Sequence, residues 1–192
     1  MEKEILTAKL TYLKEINSDD FQKIVNWIND SKFNQFLYQG WKKTTVEDFA
    51  NQVREEQTDE NAEIFSQFNK ENNELVGWCG LYFPKSEQHR NARKAEIRSF
   101  VGTEFWGSGF GTEQYVLLVK YGFENIDLNR IYFGTHEKNI GTQKIYEKLG
   151  FKCESILRQD YYRNEFADIY QYAVLKNEYD ETIKEKIYSY LN

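Results

Sequence analysis

The residues from Phe100 to Thr112, FVGTEFWGSGFGT, constrain the fold most, because an apolar strand there enters a glycine-rich turn just before a long helix. Backbone N–H groups in the first turn of a helix have no partner within the helix, and the helix dipole adds positive potential beside them. Gly107, Gly109 and Gly111 leave an anion room to approach that backbone. The segment therefore predicts a binding site for a phosphorylated cofactor.

The same turn lacks the residues of two common nucleotide-binding motifs. A Walker loop ends in Gly-Lys-Ser/Thr, whereas Gly111 is followed by Thr112 and Glu113. The dinucleotide fingerprint has its third glycine three positions after the second, whereas Gly111 comes two positions after Gly109. We therefore expect neither ATP or GTP nor NAD or FAD at this turn.

The segments after the turn predict a β-loop-α-β unit. Apolar residues recur at helical spacing from Tyr115 to Ile126, and Arg130 to Thr135 has the bulky and β-branched residues of a strand. A second helix is predicted within Lys138 to Phe151 and ends at Gly150, because glycine is common just after a helix. A last pair of strands is predicted at Lys152–Leu157 and Phe166–Val174.

The first half of the chain predicts a strand, helices and a hairpin. An alternating edge strand is expected from Thr7 to Ile16, with Ser18 as the N-cap of the helix that follows. After a second helical piece, Thr44 and Glu47 have the spacing of a capping box for a third helix. The predicted bounds are Val46–Glu56 for that helix, Ile64–Phe68 and Leu75–Phe83 for two paired strands, and Ala95–Val101 for the strand before the glycine turn.

With these motifs in this order, the chain resembles the GNAT superfamily of acyl-CoA-dependent N-acetyltransferases. Within it, the chain is similar to the branch of ribosomal-protein N-terminal, spermidine and aminosugar acetyltransferases. FWGSGFGTE resembles the family's pyrophosphate loop, although Trp106 stands where Gln or Arg is usual, and Asn139 with IYEKLGF resembles its cofactor-side helix. The resemblance implies an α/β (α+β) fold with a mixed, mostly antiparallel sheet of six to seven strands, flanked by helices and splayed between its two central strands.

The resemblance also implies acetyl-CoA as the cofactor and a direct attack of an amine on its thioester. Tyr146 matches the family's acid tyrosine and lies about two helical turns after Asn139, so we expect it to protonate the departing thiolate; a core tyrosine is the alternative. The cofactor-binding residues implied are Phe100, Val101, Gly102, Trp106, Gly107, Ser108, Gly109, Phe110, Gly111, Thr112 and Asn139.

An amine acceptor also needs a route for its proton. An amine of pKa ~10.4 is protonated at neutral pH, and removing its proton costs about 4 to 5 kcal/mol. Glu96, in the strand before the glycine turn, is our candidate base acting through water, with Ser99 as the alternative that orients the water. Glu96 can equally be an outward-facing strand residue. A main-chain N–H between Phe100 and Gly102 is expected to polarise the carbonyl.

Composition limits the domain count and the compartment. The chain has 192 residues, 40% of them hydrophobic, and a single proline, which favours one domain over residues 1–192 with a C-terminal helical tail at about 177–192. We see no signal peptide and no run of ~20 apolar residues, so we expect a cytoplasmic protein that does not enter a membrane.

Cysteine and histidine usage argues against a metal centre. Cys79 and Cys153 are both expected to be reduced core residues, and their spacing matches no metal motif. His89 and His136 are too few for a histidine-rich site, so no metal is expected. We interpret His136 as a solvent-facing loop residue.

The net charge of −6 argues against a nucleic-acid partner and suits a cationic acceptor. An acidic run either coats a solvent-facing helix or lines the cleft mouth, and it comprises Glu47, Asp48, Glu55, Glu56, Asp59, Glu60 and Glu63. Several aromatic residues are either acceptor contacts or core, namely Trp27, Phe33, Phe36, Tyr38 and Trp41. A polyamine, an aminosugar, an aminoglycoside and a protein N-terminus all remain open as acceptors.

Two other classes of function compete with an enzyme. A domain of this fold can hold acyl-CoA as a sensor or scaffold without turnover. Alternatively, Ile183, Ile187, Tyr190 and Leu191 form an apolar stripe that binds a partner, builds a homodimer or docks on its own domain.

Overall fold

The fold is a single eight-stranded sheet with helices on both faces, described from a computed structural model that covers residues 6–36, 43–58, 61–84, 93–162 and 165–191. The strands follow the order β1-β2-β3-β4-β5-β6-β8-β7 across the sheet. They are β1 Leu6–Thr7, β2 Thr11–Glu15, β3 Ala62–Asn69, β4 Leu75–Tyr82, β5 Lys94–Val101, β6 Arg130–His136, β7 Lys152–Tyr162 and β8 Glu165–Leu175.

Helices fill the intervals that the sequence predicts. The helices before the glycine turn are α1 Phe21–Ile28, α2 Ser31–Asn34 and α3 Val46–Thr58. Those after it are α4 Phe110–Glu124 and α5 Ile140–Leu149, and a C-terminal helical segment runs over 176–188 with a π-helical turn at Tyr179–Ile183. The mixed α/β fold is thereby confirmed.

The sheet has one strand more than the upper limit we predicted. The predicted edge strand Thr7–Ile16 is instead a tight hairpin of β1 and β2, in which the Ala8 N–H donates to the Thr11 carbonyl at 2.9 Å. The predicted strand is interrupted at this turn, where Leu10 and Thr11 donate their backbone N–H groups to the Glu113 carboxylate instead of to a neighbouring strand.

The predicted splay lies between β5 and β6. These strands pair in parallel only from Lys94 to Glu96 against Arg130 to Tyr132, whereas every other pairing in the sheet is antiparallel. Beyond that point, residues 97–101 of β5 stay paired with β4, and residues 133–136 of β6 stay paired with β8. A gap therefore opens at the centre of the sheet on the side of the glycine turn.

Adjacent residues of β3 show how the two faces are covered. Ile64 packs in a cluster with α1 and α3, whereas Phe65 packs on the opposite face with α4, α5 and the C-terminal segment. Both side chains are 1% exposed, so each face has its own core. β4 is buried from Leu75 to Leu81, as its unbroken apolar run predicts.

Helix ends confirm one prediction and correct two. Gly150 ends α5 in the left-handed conformation at φ +82°, as expected. Asn17, not Ser18, caps the 3-10 turn before α1, because its side chain accepts the Asp19 N–H at 2.8 Å. The capping box of α3 uses Thr45 and Asp48 instead of Thr44 and Glu47.

The C-terminal segment docks on its own domain. Ile183 and Ile187 are buried in the cluster around α4, and Tyr190 and Leu191 pack against it. The structure thus supports the third alternative for this stripe, docking on its own domain, with Ile183 and Ile187 buried and Tyr190 and Leu191 partly buried. No helix in the described ranges has the length and apolar character needed to cross a membrane.

The cysteines differ in their surroundings. Cys79, at the centre of β4, is fully buried, whereas Cys153 is exposed, which corrects its assignment to the core. The reason is topological, since β7 is the edge strand of the sheet. Both are free thiols.

Candidate active site

The gap between β5 and β6 opens into a cavity of about 1250 Å³. One end reaches the glycine turn before α4, and the other reaches the aromatic side chains carried by α2, α3 and β4. Most of the predicted site residues line it, namely Glu96, Ser99, Phe100, Val101, Trp106, Gly107, Ser108, Gly109, Gly111, Thr112, Asn139 and Tyr146.

The glycine turn has the backbone that its sequence predicts. Gly107 and Gly109 have φ values of +83° and +95°, a region that other residues rarely adopt, and Gly109 is the N-cap of α4. No heavy atom lies within 4 Å of the position where a Cβ of Gly107 would stand. The turn is therefore open to an approaching anion.

Among the predicted cofactor-binding residues of the turn, Ser108 and Phe110 already use their backbone amides within the chain. The Ser108 N–H donates to the Phe105 carbonyl and the Phe110 N–H to the Ser108 Oγ, both at 3.3 Å. The N–H groups of Gly111 and Thr112, in the first turn of α4, make no hydrogen bond within the described part of the chain. These two donors, beside the positive end of the helix dipole, form the better anion site.

Two predicted cofactor residues lie outside the cavity lining. Gly102 is packed against the Trp27 ring, where a Cβ would stand 2.5 Å from a ring carbon. Phe110 is buried beside Phe105, and its carbonyl accepts the Gln67 side-chain amide at 2.9 Å. Gly102 and Phe110 therefore pack against neighbouring side chains and do not face the cavity.

Trp106 closes the glycine turn onto β5. Its indole N–H donates to the Val101 carbonyl at 3.0 Å, and its side chain is 47% exposed. The Gly102 N–H donates to the Val76 carbonyl, so the alternation of the antiparallel ladder directs the Val101 N–H away from β4 and toward the gap. One main-chain donor at the splay is thus identified.

Asn139 lies at the start of α5 as its N-cap. Its Oδ1 accepts the Thr142 N–H at 3.3 Å, which satisfies a backbone donor of the first helical turn. The residue also lines the cavity, so one side chain shapes the helix end that faces the space left for a cofactor.

Tyr146 is both a core residue and a cavity residue. Its side chain is 1% exposed within the cluster around α4, and its hydroxyl lies 2.8 Å from that of Tyr115. Burial raises the pKa of Tyr146 well above its usual value, and Tyr115 and Glu96 add to the rise. The phenol is therefore a proton donor, not a phenolate, at neutral pH.

Tyr115, the hydrogen-bond partner of Tyr146, directly follows Gln114 in α4, and Gln114 belongs to a buried polar network. Burial raises the pKa of Tyr115 to about 12, although hydrogen bonds with Tyr146 and Ser99 lower it. The Ser99 hydroxyl donates to the Gln114 Oε1 at 2.5 Å. Gln114 in turn donates through its Nε2 to the Gln67 Oε1 at 2.8 Å and to the Phe100 carbonyl at 3.0 Å. The network joins β5 to α4.

Glu96 lines the cavity in an ion pair. Its Oε2 accepts the Nε and one terminal nitrogen of Arg98 at 3.1 and 3.0 Å. Arg98 also lies 3.8 Å from the Glu56 Oε1 and stacks 4.1 Å above the Tyr82 ring centroid. Among the predicted acidic run, the structure brings Glu56 to the cavity, whereas Glu63 accepts the Tyr121 hydroxyl; Asp59 and Glu60 lie outside the described residues.

Aromatic rings form the far wall of the cavity. Phe33 and Phe36 line it, as one interpretation of the sequence expected, whereas Trp27 is buried and does not. Trp78 stacks on Phe100 at 4.5 Å and on Phe33 at 5.5 Å between ring centroids. Tyr38 and Trp41 lie outside the described residues.

The sequence reasoning missed Tyr115 and Arg98 as site residues. Tyr115 counted only as a member of an apolar helical face, and helical spacing marks burial without showing that a hydroxyl meets another across the core. Arg98 is two residues after Glu96 on the same strand, so strand alternation alone places both on one face. That spacing was a usable signal.

His136 corrects a further expectation. The histidine is 3% exposed at the end of β6 rather than solvent-facing, because β6 is an interior strand, and its Nδ1 accepts the Lys138 N–H at 3.0 Å. Within the described residues, no cluster of three or more His, Cys, Asp or Glu side chains could hold a metal ion.

Known proteins resemble part of this chain. A curated relative, the uncharacterized N-acetyltransferase p20 of Bacillus licheniformis, is 36% identical over 120 residues, which are 62% of this chain and 65% of that protein. The spermidine N(1)-acetyltransferase of Escherichia coli (strain K12) is 27% identical over 88 residues, 45% of this chain and 47% of that protein. The aligned part of the chain thus spans less than two thirds of the length of either relative.

A solved structure shows the same fold over nearly its whole length. The spermidine N-acetyltransferase from Vibrio cholerae in complex with CoA and spermine has a TM-score of 0.79 and 19% identity, covering 90% of this chain and 99% of that chain. The acetyltransferase (GNAT) domain model matches residues 11–152. Since that match takes in more than half of the chain, from β2 to the start of β7, the protein belongs to the GNAT family of N-acetyltransferases.

Proposed function

We propose that the protein transfers an acetyl group from acetyl-CoA to the nitrogen of a primary amine. One observation carries the proposal: a single cavity joins the open glycine turn before α4 to the buried hydroxyl of Tyr146 through the gap between β5 and β6. An anion site and a proton donor are thus connected by a space large enough for two substrates.

The residues present fit coenzyme A. The N–H groups of Gly111 and Thr112 and the dipole of the 15-residue helix α4 suit a diphosphate, and Lys138 and Lys148 line the α5 side of the same cavity. When bound, acetyl-CoA supplies an acetyl thioester whose sulfur is the leaving group. The chain's own residues would then orient that group, donate one proton to the departing sulfur and accept one proton from the amine.

Tyr146 is the proposed general acid. A leaving thiolate departs more easily when a donor shares a proton with the sulfur, and burial keeps the proton on the Tyr146 hydroxyl at neutral pH. Tyr115 is the proposed positioning residue, because its hydroxyl at 2.8 Å fixes the direction of the Tyr146 phenol. The Val101 N–H, aimed into the gap, is the proposed donor to the acetyl carbonyl oxygen.

Glu96 and Ser99 are the proposed groups for the acceptor proton. Glu96 lines the cavity with its carboxylate held by Arg98, and it is the candidate base through water. Ser99 also lines the cavity, its hydroxyl donates to Gln114, and it is the candidate that orients that water. Direct attack by the amine needs no covalent intermediate on the protein, so orientation in the cavity supplies much of the rate.

Incubation of the protein with acetyl-CoA and a panel of amines tests this function. We expect amine-dependent release of free thiol, with acetylated amine appearing in equal amount by mass spectrometry. The control is the same mixture without an amine, which measures thioester hydrolysis alone.

A non-catalytic module is the alternative that the same experiment detects. Tight binding of CoA by calorimetry, with no thiol release from a polyamine, an aminosugar, an aminoglycoside, a simple alkylamine or a peptide N-terminus, would favour a sensor or scaffold. That result would contradict the proposed transfer.

A further inference from the structure

Resting on the proposed function, we propose that Gln114 is a further positioning residue, which aims the Val101 N–H at the carbonyl oxygen of the bound acetyl group. Gln114 is 0% exposed near the start of α4 and is not among the described residues that line the cavity. It therefore acts through the strand beside it. The link is the peptide group that joins Phe100 to Val101.

The Phe100 carbonyl and the Val101 N–H belong to one trans peptide group. Such a group is planar and directs its N–H opposite to its C=O, so a partner that fixes the carbonyl also fixes the N–H. The Gln114 Nε2 donates to the Phe100 carbonyl at 3.0 Å. A hydrogen bond at one end of a peptide group also polarises the group and strengthens the bond at the other end. The side chain of Gln114 thus orients and polarises the proposed donor.

The surrounding contacts allow one orientation of the Gln114 amide. Its Oε1 accepts the Ser99 hydroxyl at 2.5 Å, and its Nε2 also donates to the Gln67 Oε1 at 2.8 Å. Gln67 is oriented in turn, because its own Nε2 donates to the Phe110 carbonyl at 2.9 Å. A flipped Gln114 amide would place its oxygen against two acceptors, the Gln67 Oε1 and the Phe100 carbonyl. The donor nitrogen therefore faces the peptide group.

Gly77, on the neighbouring strand β4, leaves room for this contact. A Cβ at Gly77 would stand 2.3 Å from the Phe100 carbonyl oxygen and 2.9 Å from the Gln114 Nε2. Both distances are shorter than those of real Cβ contacts, so a larger residue would force the carbonyl or the amide to move. The same carbonyl is thus held by a side chain of α4 and accommodated by a glycine of β4.

Gln114→Met tests this role, because methionine keeps a similar volume and removes both hydrogen-bonding ends. We expect kcat at saturating acetyl-CoA to fall about tenfold or more, with KM for acetyl-CoA changed less than about threefold, since a misaligned donor stabilises the charge developing on the carbonyl oxygen less well.

Gln67→Met is the matched control for this variant. Gln67 is also 0% exposed and belongs to the same network, but its amide nitrogen bonds Thr11 and Phe110 rather than β5. It should lose a comparable amount of stability in thermal unfolding, because both variants leave buried groups without a partner, while kcat falls less than about threefold.

A spectroscopic measurement separates orientation from a general loss of structure. The probes are a ketone analogue of acetyl-CoA, with a methylene group in place of the sulfur, and CoA, which lacks the acetyl carbonyl. In the unmodified protein, the amide proton of Val101 should move downfield in NMR on binding of the analogue and not on binding of CoA, because donation to a carbonyl deshields the proton. Gln114→Met should lose most of this movement, whereas Gln67→Met should keep it.

Ser99→Ala shows whether Gln114 acts only through the Ser99 hydroxyl. The variant removes that hydroxyl and leaves the bond from Gln114 to the Phe100 carbonyl. We expect it to keep the movement of the Val101 signal. Loss of the movement in Ser99→Ala would assign the effect to the hydroxyl and contradict the inference.

Should Gln114→Met fail to fold, the side-chain amide signal of Gln114 in the unmodified protein replaces it. Because both hydrogen bonds polarise one peptide group, that signal should move on binding of the analogue and not on binding of CoA. A Gln114 or Val101 signal that does not respond, or a Gln114→Met variant that retains the Val101 movement, overturns the inference while acetyl transfer stands. Absence of thiol release with every amine overturns the proposed transfer, and the NMR responses, which need no turnover, still decide whether Gln114 aims the Val101 N–H.

Discussion

Two tyrosine hydroxyls carry most of the chemistry proposed at the residue scale. Tyr146 and Tyr115 are 1% and 5% exposed, yet their hydroxyls meet at 2.8 Å on the wall of the cavity. Burial raises the pKa values of both tyrosines, which keeps both phenols protonated. Packing thus extends the pH range over which both phenols stay protonated, as the proposed transfer requires.

Replacement of Tyr146 by phenylalanine tests this arrangement. Tyr146→Phe removes the hydroxyl and keeps the ring, so we expect kcat to fall about 100-fold, the scale of one general acid, with KM for acetyl-CoA changed less than about threefold. Stability should fall by about 1–3 kcal/mol, since the buried Tyr115 hydroxyl loses its hydrogen-bond partner. Steady-state thiol release and thermal unfolding measure both effects.

The matched control for this variant is Tyr179→Phe. Tyr179 is also fully buried and its hydroxyl donates to the Glu124 carboxylate at 2.7 Å, but it lies outside the cavity. It should lose stability without losing kcat. Equal activity in Tyr146→Phe and Tyr179→Phe would contradict a general acid at Tyr146.

The sequence predicted a residue's role where that residue type suits one backbone position. It did not predict the role where it depends on contacts with side chains that are distant in the sequence. Gly150 was predictable because a left-handed helix end favours glycine. The contact of the Tyr115 hydroxyl was not predictable, because its partner Tyr146 comes from another helix, 31 residues further along the chain. The site roles of Tyr146, Glu96 and Ser99 stay predictions until activity is measured.

The glycine turn is the element that most directly links sequence to site. Gly109 combines a φ of +95° with the N-cap position of α4, so the direction of the first helical N–H groups depends on it. An alanine in that conformation costs roughly 1–2 kcal/mol. Relief of this strain by a shift in the turn would move the amides of Gly111 and Thr112.

Gly109→Ala should therefore weaken cofactor binding more than catalysis. We expect KM for acetyl-CoA to rise about tenfold, with kcat at saturation reduced by less than about threefold. Gly150→Ala is the control, because Gly150 has a φ of +82° and lies outside the cavity lining. Similar KM values for the two variants would show that strain alone, and not the amide site, explains the effect.

Element boundaries shifted where a distant contact took over a predicted cap. Thr44 has the spacing of a cap, but Asn29 binds both its N–H and its carbonyl, at 3.0 and 2.9 Å. The cap therefore moves to Thr45, whose side chain is free to bond Asp48. The local sequence predicted a cap at the start of α3, but the contact between Asn29 and Thr44 determines that Thr45 provides it.

At the scale of the whole molecule, Glu124 at the end of α4 holds the C-terminal segment. Its carboxylate accepts Tyr179 at 2.7 Å and Tyr188 at 2.9 Å, and it pairs with Lys120 and Lys184 at 3.1 and 3.2 Å. Partial burial raises its pKa, but these four partners outweigh that and lower it to about 2. Hydrogen bonds and an ion pair with Glu124, as well as apolar packing, thus hold the C-terminal segment against α4.

This linkage predicts a specific acid dependence of stability. Because the folded pKa of about 2 lies below the ordinary 4.5, the contribution of Glu124 is complete above pH 4.5 and is lost as pH falls toward 2. Glu124→Gln should lower the melting temperature at pH 7, and the difference from the unmodified protein should shrink toward pH 2. Thermal unfolding followed by circular dichroism at several pH values measures it.

Glu181→Gln is the control, because Glu181 is an exposed acid of the same segment. It should leave the melting temperature nearly unchanged. A Glu124→Gln difference that stayed constant from pH 7 to pH 2 would contradict the linkage.

The overall fold was predictable because each strand and helix is marked by a short local pattern in the sequence. The geometry of the cavity was not predictable in this way. The strands and helices follow one another along the chain in the predicted order, and the splay was implied by the family resemblance. The network that joins Thr11, Gln67 and Gln114 spans about a hundred residues of sequence, so no local pattern marks it. A single domain over residues 1–192 stays a prediction.

The position of Cys153 on an edge strand has a practical consequence for enzymology. The chain has two cysteines, and Cys79 is fully sequestered, with burial raising the pKa of its thiol, while Cys153 lies at the surface. A chromogenic disulfide reagent should consequently titrate one equivalent per polypeptide before any turnover begins. That initial reaction supplies an internal calibration, so each rate can be normalised to the number of folded polypeptides when one thiol per chain is found, and a higher ratio reveals unfolded protein.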